Sequence, residues 1–148
     1  MGAILEALVS AVLEATLEGV LSQLTLKRIG WGLSGLFGVF MIFASALPKL
    51  MGMAVASDIM VQLGWPDAPL LLIGSLEVGL TLLYLYPPTA VLGACLMMAL
   101  LGGAIATNLH GHAELFGHTL FGIYLGVFMW AGLILRDPRV AAVFPWVR

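Results

Sequence analysis

The sequence predicts an all-α protein, a four-transmembrane-helix bundle preceded by an amphipathic N-terminal helix. Three observations carry this. Of 148 residues, 61% are hydrophobic and 9% are charged, with mean hydropathy +1.09; a soluble domain carries about 25% charged residues. A chain this short cannot hide so much apolar surface from water, so lipid must be its solvent. The apolar residues also gather into long uncharged runs, and a run of ~20 residues is the length that crosses hydrocarbon.

Residues 1–27 form the first expected unit. Over 3–26, Leu5, Leu8, Val9, Val12, Leu13, Leu17, Val20, Leu21 and Leu24 recur at helical spacing, and Glu6, Ser10, Glu14, Glu18 and Ser22 follow one another every fourth residue. The polar face is acidic, unlike the Lys/Arg-rich face of a typical interfacial helix. Lying in the membrane interface and packing on another copy or a partner protein are therefore both open. These glutamates, and the absence of a basic leader, also argue against a secretory signal peptide.

Residues 28–148 form the expected membrane domain. Lys27-Arg28 marks the boundary, and residues 29–48 carry no charge. Gly30, Gly32, Gly35 and Gly38 offer small-residue faces for a neighbour, and Pro48 is expected to loosen the far end. A short helix near 55–63 and a Gly64-Trp65-Pro66 turn lead to a second span over 69–86. Pro87-Pro88 ends that span, with Tyr84 and Tyr86 at interface level. The third span covers 89–109. The fourth covers 116–135 and stops at Arg136-Asp137-Pro138-Arg139, after which Trp146 is a surface anchor. Basic residues precede the first span (Lys27, Arg28) and follow the last (Arg136, Arg139, Arg148), so the positive-inside rule places both termini in the cytoplasm, with a bacterial inner membrane as the expected location. No basic face for nucleic acid exists. Cys95 is a lone thiol in an apolar run, and thiol–disulfide exchange within one chain needs a pair.

The polar residues inside the spans point to a site. Glu77 lies about eight positions into its span, roughly 12 Å deep, where a carboxylate is costly and marks either a functional site or a hydrogen bond tying helices together. Lys49 ends the first span on the same side, one turn after Ser45; it either snorkels to water or leans toward Glu77. Thr107, Asn108, His110, His112, Glu114 and His118 lie at the same level. Ser45, Lys49, Glu77, Thr107, Asn108 and His118 thus define an expected outward-facing polar pocket. Glu77, His118 and Lys49 are the catalytic candidates, and Ser45, Thr107 and Asn108 line the pocket. Three histidines within nine residues invite a metal reading through His110, His112 and His118, but Gly111 interrupts them and no helical His pair stands four apart. No metal is therefore expected, and no covalent cofactor.

Several motifs form an ordered set: Phe43-Ala44-Ser45-Ala46-Leu47-Pro48-Lys49-Leu50, Leu63-Gly64-Trp65-Pro66, Gly74-Ser75-Leu76-Glu77, Leu101 through Leu109, Tyr124-Leu125-Gly126-Val127, and Leu135 through Arg139. In this order they resemble the DoxX-like family of small four-helix membrane proteins, over about four-fifths of the chain. The resemblance implies Lys49, Glu77 and His118 as positions of interest. Ala46, Pro48 and Asn108 depart from the family's common residues, and the N-terminal helix has no counterpart in it. The family takes its name from the membrane subunit of a thiosulfate:quinone oxidoreductase, and other relatives are linked to assembly. Three functions remain open. The chain is a quinone-linked redox subunit fed by a soluble partner, since it carries no redox centre itself; or a non-enzymatic anchor or assembly factor acting through the N-terminal helix, as an oligomer or with a partner; or a small-solute binding or transport protein.

Overall fold

The computed structural model describes residues 2–143, with backbone alone at 2–5, 7–9 and 11. The anchor Trp146, Arg148 and the side chains of Leu5, Leu8 and Val9 lie outside the described residues. Within them every regular element is helical, joined by turns at 51–53, 63–69 and 111–114, and there is no strand. The elements are α1 (Gly2–Val39), a π-helical stretch (Phe40–Ala46), α2 (Leu47–Leu50), α3 (Ala54–Gln62), α4 (Leu70–Leu85), α5 (Ala90–His110), a π turn (Leu115–Thr119), α6 (Phe121–Arg136) and α7 (Pro138–Val143).

Three helical stretches are long and apolar enough to cross a membrane: Val12–Leu50, Pro87–His110 and Leu115–Arg136. The fourth expected span, α4, has 16 residues. At 1.5 Å per residue it reaches about 24 Å, short of the ~30 Å of hydrocarbon. Its Pro69 and Pro87 flanks stop it at both ends. With this composition and these long apolar helices the protein is an integral membrane protein, and many large apolar side chains are exposed on its surface. Cys95 is exposed as well.

The four long elements close a ring. α1 packs most extensively on α6, α4 on α5, α5 on α6, and the π stretch and α1 complete the circuit on α4. Phe37, Met41, Tyr84, Ala94, Met97, Met129 and Leu133 fill the centre, with Phe37 and Tyr84 meeting edge to face at 5.4 Å.

Of the four glycines proposed for α1's packing face, two serve it. A Cβ on Gly30 would press on the backbone of Leu135 and Arg136, and one on Gly38 would meet Leu85, whereas Gly32 and Gly35 have open space. The face is set by a spacing of four: Gly30, buried Ser34 and Gly38 lie one above the other. Gly32 and Gly35 fall off that stripe and point to lipid.

No break separates the two expected units, because the boundary at 27/28 falls inside α1. Good helix formers run across it, and no proline intervenes. Every residue from 12 to 29 is exposed and Gly30 is the first buried one among the described residues, so this stretch of α1 projects from the bundle along the axis of the span.

Pro48 shapes the other end of this helix. It has no N–H to donate to Ala44, and its ring crowds that carbonyl. The chain widens to a π-helix just before it, with the Leu47 amide reaching Ile42 O, five residues back. Such widened turns commonly sit at functional sites. Gly52 (φ 63°) and Gly64 (φ 79°) bracket α3, and these left-handed turns fold it back over the bundle mouth.

A candidate binding cavity built on a buried ion pair

Ser45 lies in the π stretch and Lys49 one turn on in α2, while Glu77 comes from the middle of α4. The π widening and the Ser-to-Lys spacing of four put both side chains on the face that packs against α4. Lys49 Nζ donates to Glu77 Oε1 at 3.0 Å and Oε2 at 3.1 Å, and to Ser45 O and Oγ, both at 2.9 Å. Ser45 Oγ in turn donates to Glu77 Oε1 at 2.9 Å. The Lys49 and Glu77 side chains are 14% and 8% exposed, so the ammonium leans inward to the carboxylate and does not snorkel to water. Charge-assisted bonds of this kind are about twice as strong as neutral ones. Desolvating each ion separately would cost several kcal/mol, which is why the two are found together.

The cluster forms part of the wall of a cavity of about 480 Å³, a size in the range of small-molecule sites. Ser45, Lys49, Glu77, Thr107, Asn108 and His118 all line it. The rest of the lining is apolar, with Phe40, Met41, Leu101, Ile105, Phe121 and Leu125 prominent. Met60 and Leu63, from α3 and the loop after it, and Trp65 cover its mouth. Gly111 lets that loop seat on the end of α5: a Cβ there would meet Leu63 Cα at 2.7 Å.

The two sides of the cavity differ in what they offer. Lys49 and Ser45 spend their donors within the cluster, so that wall presents the remaining lone pairs of Glu77. Across from it, Asn108 gives one amide hydrogen to Ala104 O at 2.9 Å and keeps a second, and Thr107 bonds Gly103 O at 3.0 Å. His118 sits at the rim with its side chain 71% exposed, 3.7 Å from Glu114 Oε2. A ligand hydroxyl would suit Glu77, and a ligand carbonyl would suit Asn108 or His118.

The three histidines do not converge. His110 faces the loop at Gly64, His112 occupies a left-handed turn (φ 52°), and His118 pairs with Glu114. Among the described residues no group of three His, Cys, Asp or Glu side chains is placed to hold a metal.

Glu114 instead caps the π turn, accepting from Phe116 N at 3.0 Å and from Gly117 N. These two amides, Gly117's foremost, hold its carboxyl below the usual carboxylate range. A folded value below the unfolded one stabilises the turn fully above the unfolded value, and this is lost as pH falls through the folded value. Amide hydrogen exchange at Phe116 and Gly117 is therefore expected to accelerate, beyond its intrinsic pH trend, below the usual carboxylate range. Glu114→Gln should lack that step; a step that survives in the variant would assign it to another group.

A second polar cluster, at the opposite end, escaped the sequence reading. Tyr84, expected at the interface, is fully buried while Tyr86 is exposed. The Tyr84 hydroxyl donates to Met129 O at 2.9 Å and shares a 2.8 Å hydrogen bond with Ser34 Oγ. Arg136, read as a boundary charge, is 5% exposed. Its Nη2 donates to Tyr84 O, and its guanidinium stacks 4.4 Å from the Trp31 ring centroid and 4.6 Å from that of Tyr84. The one available sign was the Gly30–Ser34–Gly38 spacing, which brings α1 close enough to α6 to enclose these groups.

Comparison with curated proteins and with solved structures gives no match. The profile of the DoxX-like family, however, matches residues 32–132, from the buried half of α1 to within one turn of the end of α6 and including every residue that lines the cavity. On that match the chain belongs to the DoxX-like family.

Proposed function

We propose that this protein is the membrane subunit of a quinone-linked redox system, with the cavity between the π stretch, α4, α5 and α6 as its quinone site. The observation that carries the reading is the Lys49–Glu77–Ser45 cluster, a self-neutralised wall in an otherwise apolar cavity of about 480 Å³. Such a wall favours an uncharged, ring-sized amphiphile over a carboxylate or phosphate, whose charge would go unmatched. A quinone accepts hydrogen bonds at both oxygens and a quinol donates at both. Asn108 and His118 suit the first form and Glu77 the second. Reduction takes two electrons, supplied by a soluble partner protein, and two protons, passed through Glu77 and His118. The basic residues at both ends support an orientation with both termini cytoplasmic.

Mass spectrometry of small molecules extracted from the protein purified in mild detergent tests this reading. A quinone or its quinol near one per chain is expected, with the quinol form lost in Glu77→Gln. A folded wild-type protein carrying neither would count against it.

One observation favours a second reading, as an anchor or assembly factor. The exposed Val12, Leu13, Leu17, Val20, Leu21 and Leu24 project from the bundle on an unbroken α1. A helix on the axis of its span does not lie in the interface plane, so its apolar stripe supports association with a second copy or a partner. Deleting residues 1–26 would then dissolve an oligomer that the intact chain forms.

A further inference from the structure

Arg136 poses a problem that the cavity does not solve. It is a buried cation that makes no direct ion pair with a carboxylate among the described residues. Its Nη1 is enclosed and has no hydrogen-bond partner, whereas Nη2 is taken by Tyr84 O. The nearest carboxylate, Asp137, is committed elsewhere: its Oδ1 accepts from Arg139 N at 3.0 Å and Nε at 3.1 Å, and its Oδ2 from Arg139 Nη2 at 2.9 Å. A buried charged donor left unpaired is costly, and such groups mark a missing partner.

The surroundings state what that partner is. Trp31 lies over the guanidinium and is 39% exposed. Lys27 and Arg28 precede it by four and three residues, so both stand on its face of α1. Helical side chains tilt toward the N-terminus, which leans Trp31 toward the same two cations. Lys27 and Arg28 therefore stand about one turn beyond Trp31 on the same side of α1, and Arg136 lies under Trp31 where the span Leu115–Arg136 ends, the level expected for headgroups. The aromatic ring is of the type enriched at that level.

We propose that this seam binds a phosphate group, that of an anionic lipid headgroup, with Arg136 Nη1 as the inner donor and Lys27 and Arg28 as outer cations. Trp31 is the side chain that shifts to admit it. Arginine's planar fork lets one nitrogen serve the phosphate while the other keeps Tyr84 O, an arrangement lysine cannot reproduce. The site is separate from the cavity, at the C-terminal end of α4, about two turns from Glu77.

Thermal unfolding in neutral detergent tests the proposal, with phosphatidylglycerol, phosphatidylcholine or inorganic phosphate added at matched concentrations. Phosphatidylglycerol is expected to raise the wild-type Tm by several degrees more than phosphatidylcholine. Lys27→Gln/Arg28→Gln should at least halve that difference, and Arg136→Lys should remove most of it. The double variant alters only exposed side chains, so it decides the matter even if Arg136→Lys does not fold. An equal response to inorganic phosphate would assign the same chemistry to a free anion. Equal shifts by both lipids in the wild type, or a phosphatidylglycerol shift undiminished in the variants, would overturn the site.

Discussion

Replacing Glu77 by Ala is expected to lower stability by about 3–5 kcal/mol, the usual cost of stranding one member of a buried ion pair. The Lys49 ammonium would lose its counter-charge and two acceptors, and Ser45 Oγ would lose its acceptor. Glu77→Gln should cost less, because an amide oxygen still accepts from Ser45. The informative comparison is the double variant Lys49→Met/Glu77→Leu. Replacing both ions with apolar groups of similar volume is often close to neutral, so it should recover most of what Glu77→Ala loses. Thermal unfolding of the wild type, Lys49→Met, Glu77→Leu and the double variant in one detergent gives the coupling directly. Single-variant costs that simply add in the double variant would mean that Lys49 and Glu77 act independently.

A second large effect is expected in α5, with opposite signs nine residues apart. Gly93 sits where a Cβ would press on the Tyr84 backbone and come within 2.7 Å of Leu83 C and Tyr84 Cα. Backbone atoms of a packed helix cannot yield as a side-chain end can, so Gly93→Ala must push α4 and α5 apart. The expected cost is about 1–3 kcal/mol, typical of overpacking a close contact, and it would disturb Tyr84 O, the acceptor for Arg136. Gly102, in the same helix, has nothing within 4 Å. Gly102→Ala should be neutral or stabilising, up to about 1 kcal/mol from helix propensity. Circular dichroism melts of both variants check the pair, and a Gly93→Ala protein as stable as wild type would contradict the close α4–α5 packing.

Much of the architecture was legible because lipid imposes simple rules. Uncharged runs between Lys27-Arg28 and Pro48, and between Thr89 and Leu109, are unambiguous by length alone. The polar residues were legible for the same reason: Ser45, Lys49 and Glu77 stand out against an apolar background, and shared depth was enough to group them. What the sequence could not convey was rotation about each helix. Depth follows from counting residues, but the facing direction depends on which neighbour packs where. Gly32 and Gly35 look as suited to packing as Gly30 and Gly38 until α6 and α4 are placed. Arg136 reads as a terminal basic residue, because nothing local shows that Gly30 brings α1 close enough to enclose it. The continuity of α1 was hidden too, since the change from an acidic amphipathic stretch to an apolar one resembles a boundary although both halves favour helix. His118 shows the reverse limit: its level was predictable, yet its exposed place at the rim depends on the π turn capped by Glu114.

Trp65 lies in the lining of the cavity walled by Lys49 and Glu77, so its fluorescence reports whether a quinone enters there. Titrating a short-chain quinone into the purified protein while following tryptophan fluorescence should give saturable quenching that Trp65→Phe removes. Asn108→Leu, which removes an amide donor to a quinone oxygen, should weaken the apparent Kd about tenfold, roughly one lost hydrogen bond. Quenching that rises linearly without saturation, and equally in all three proteins, would show that the quinone meets the protein only by collision and that the cavity serves something else.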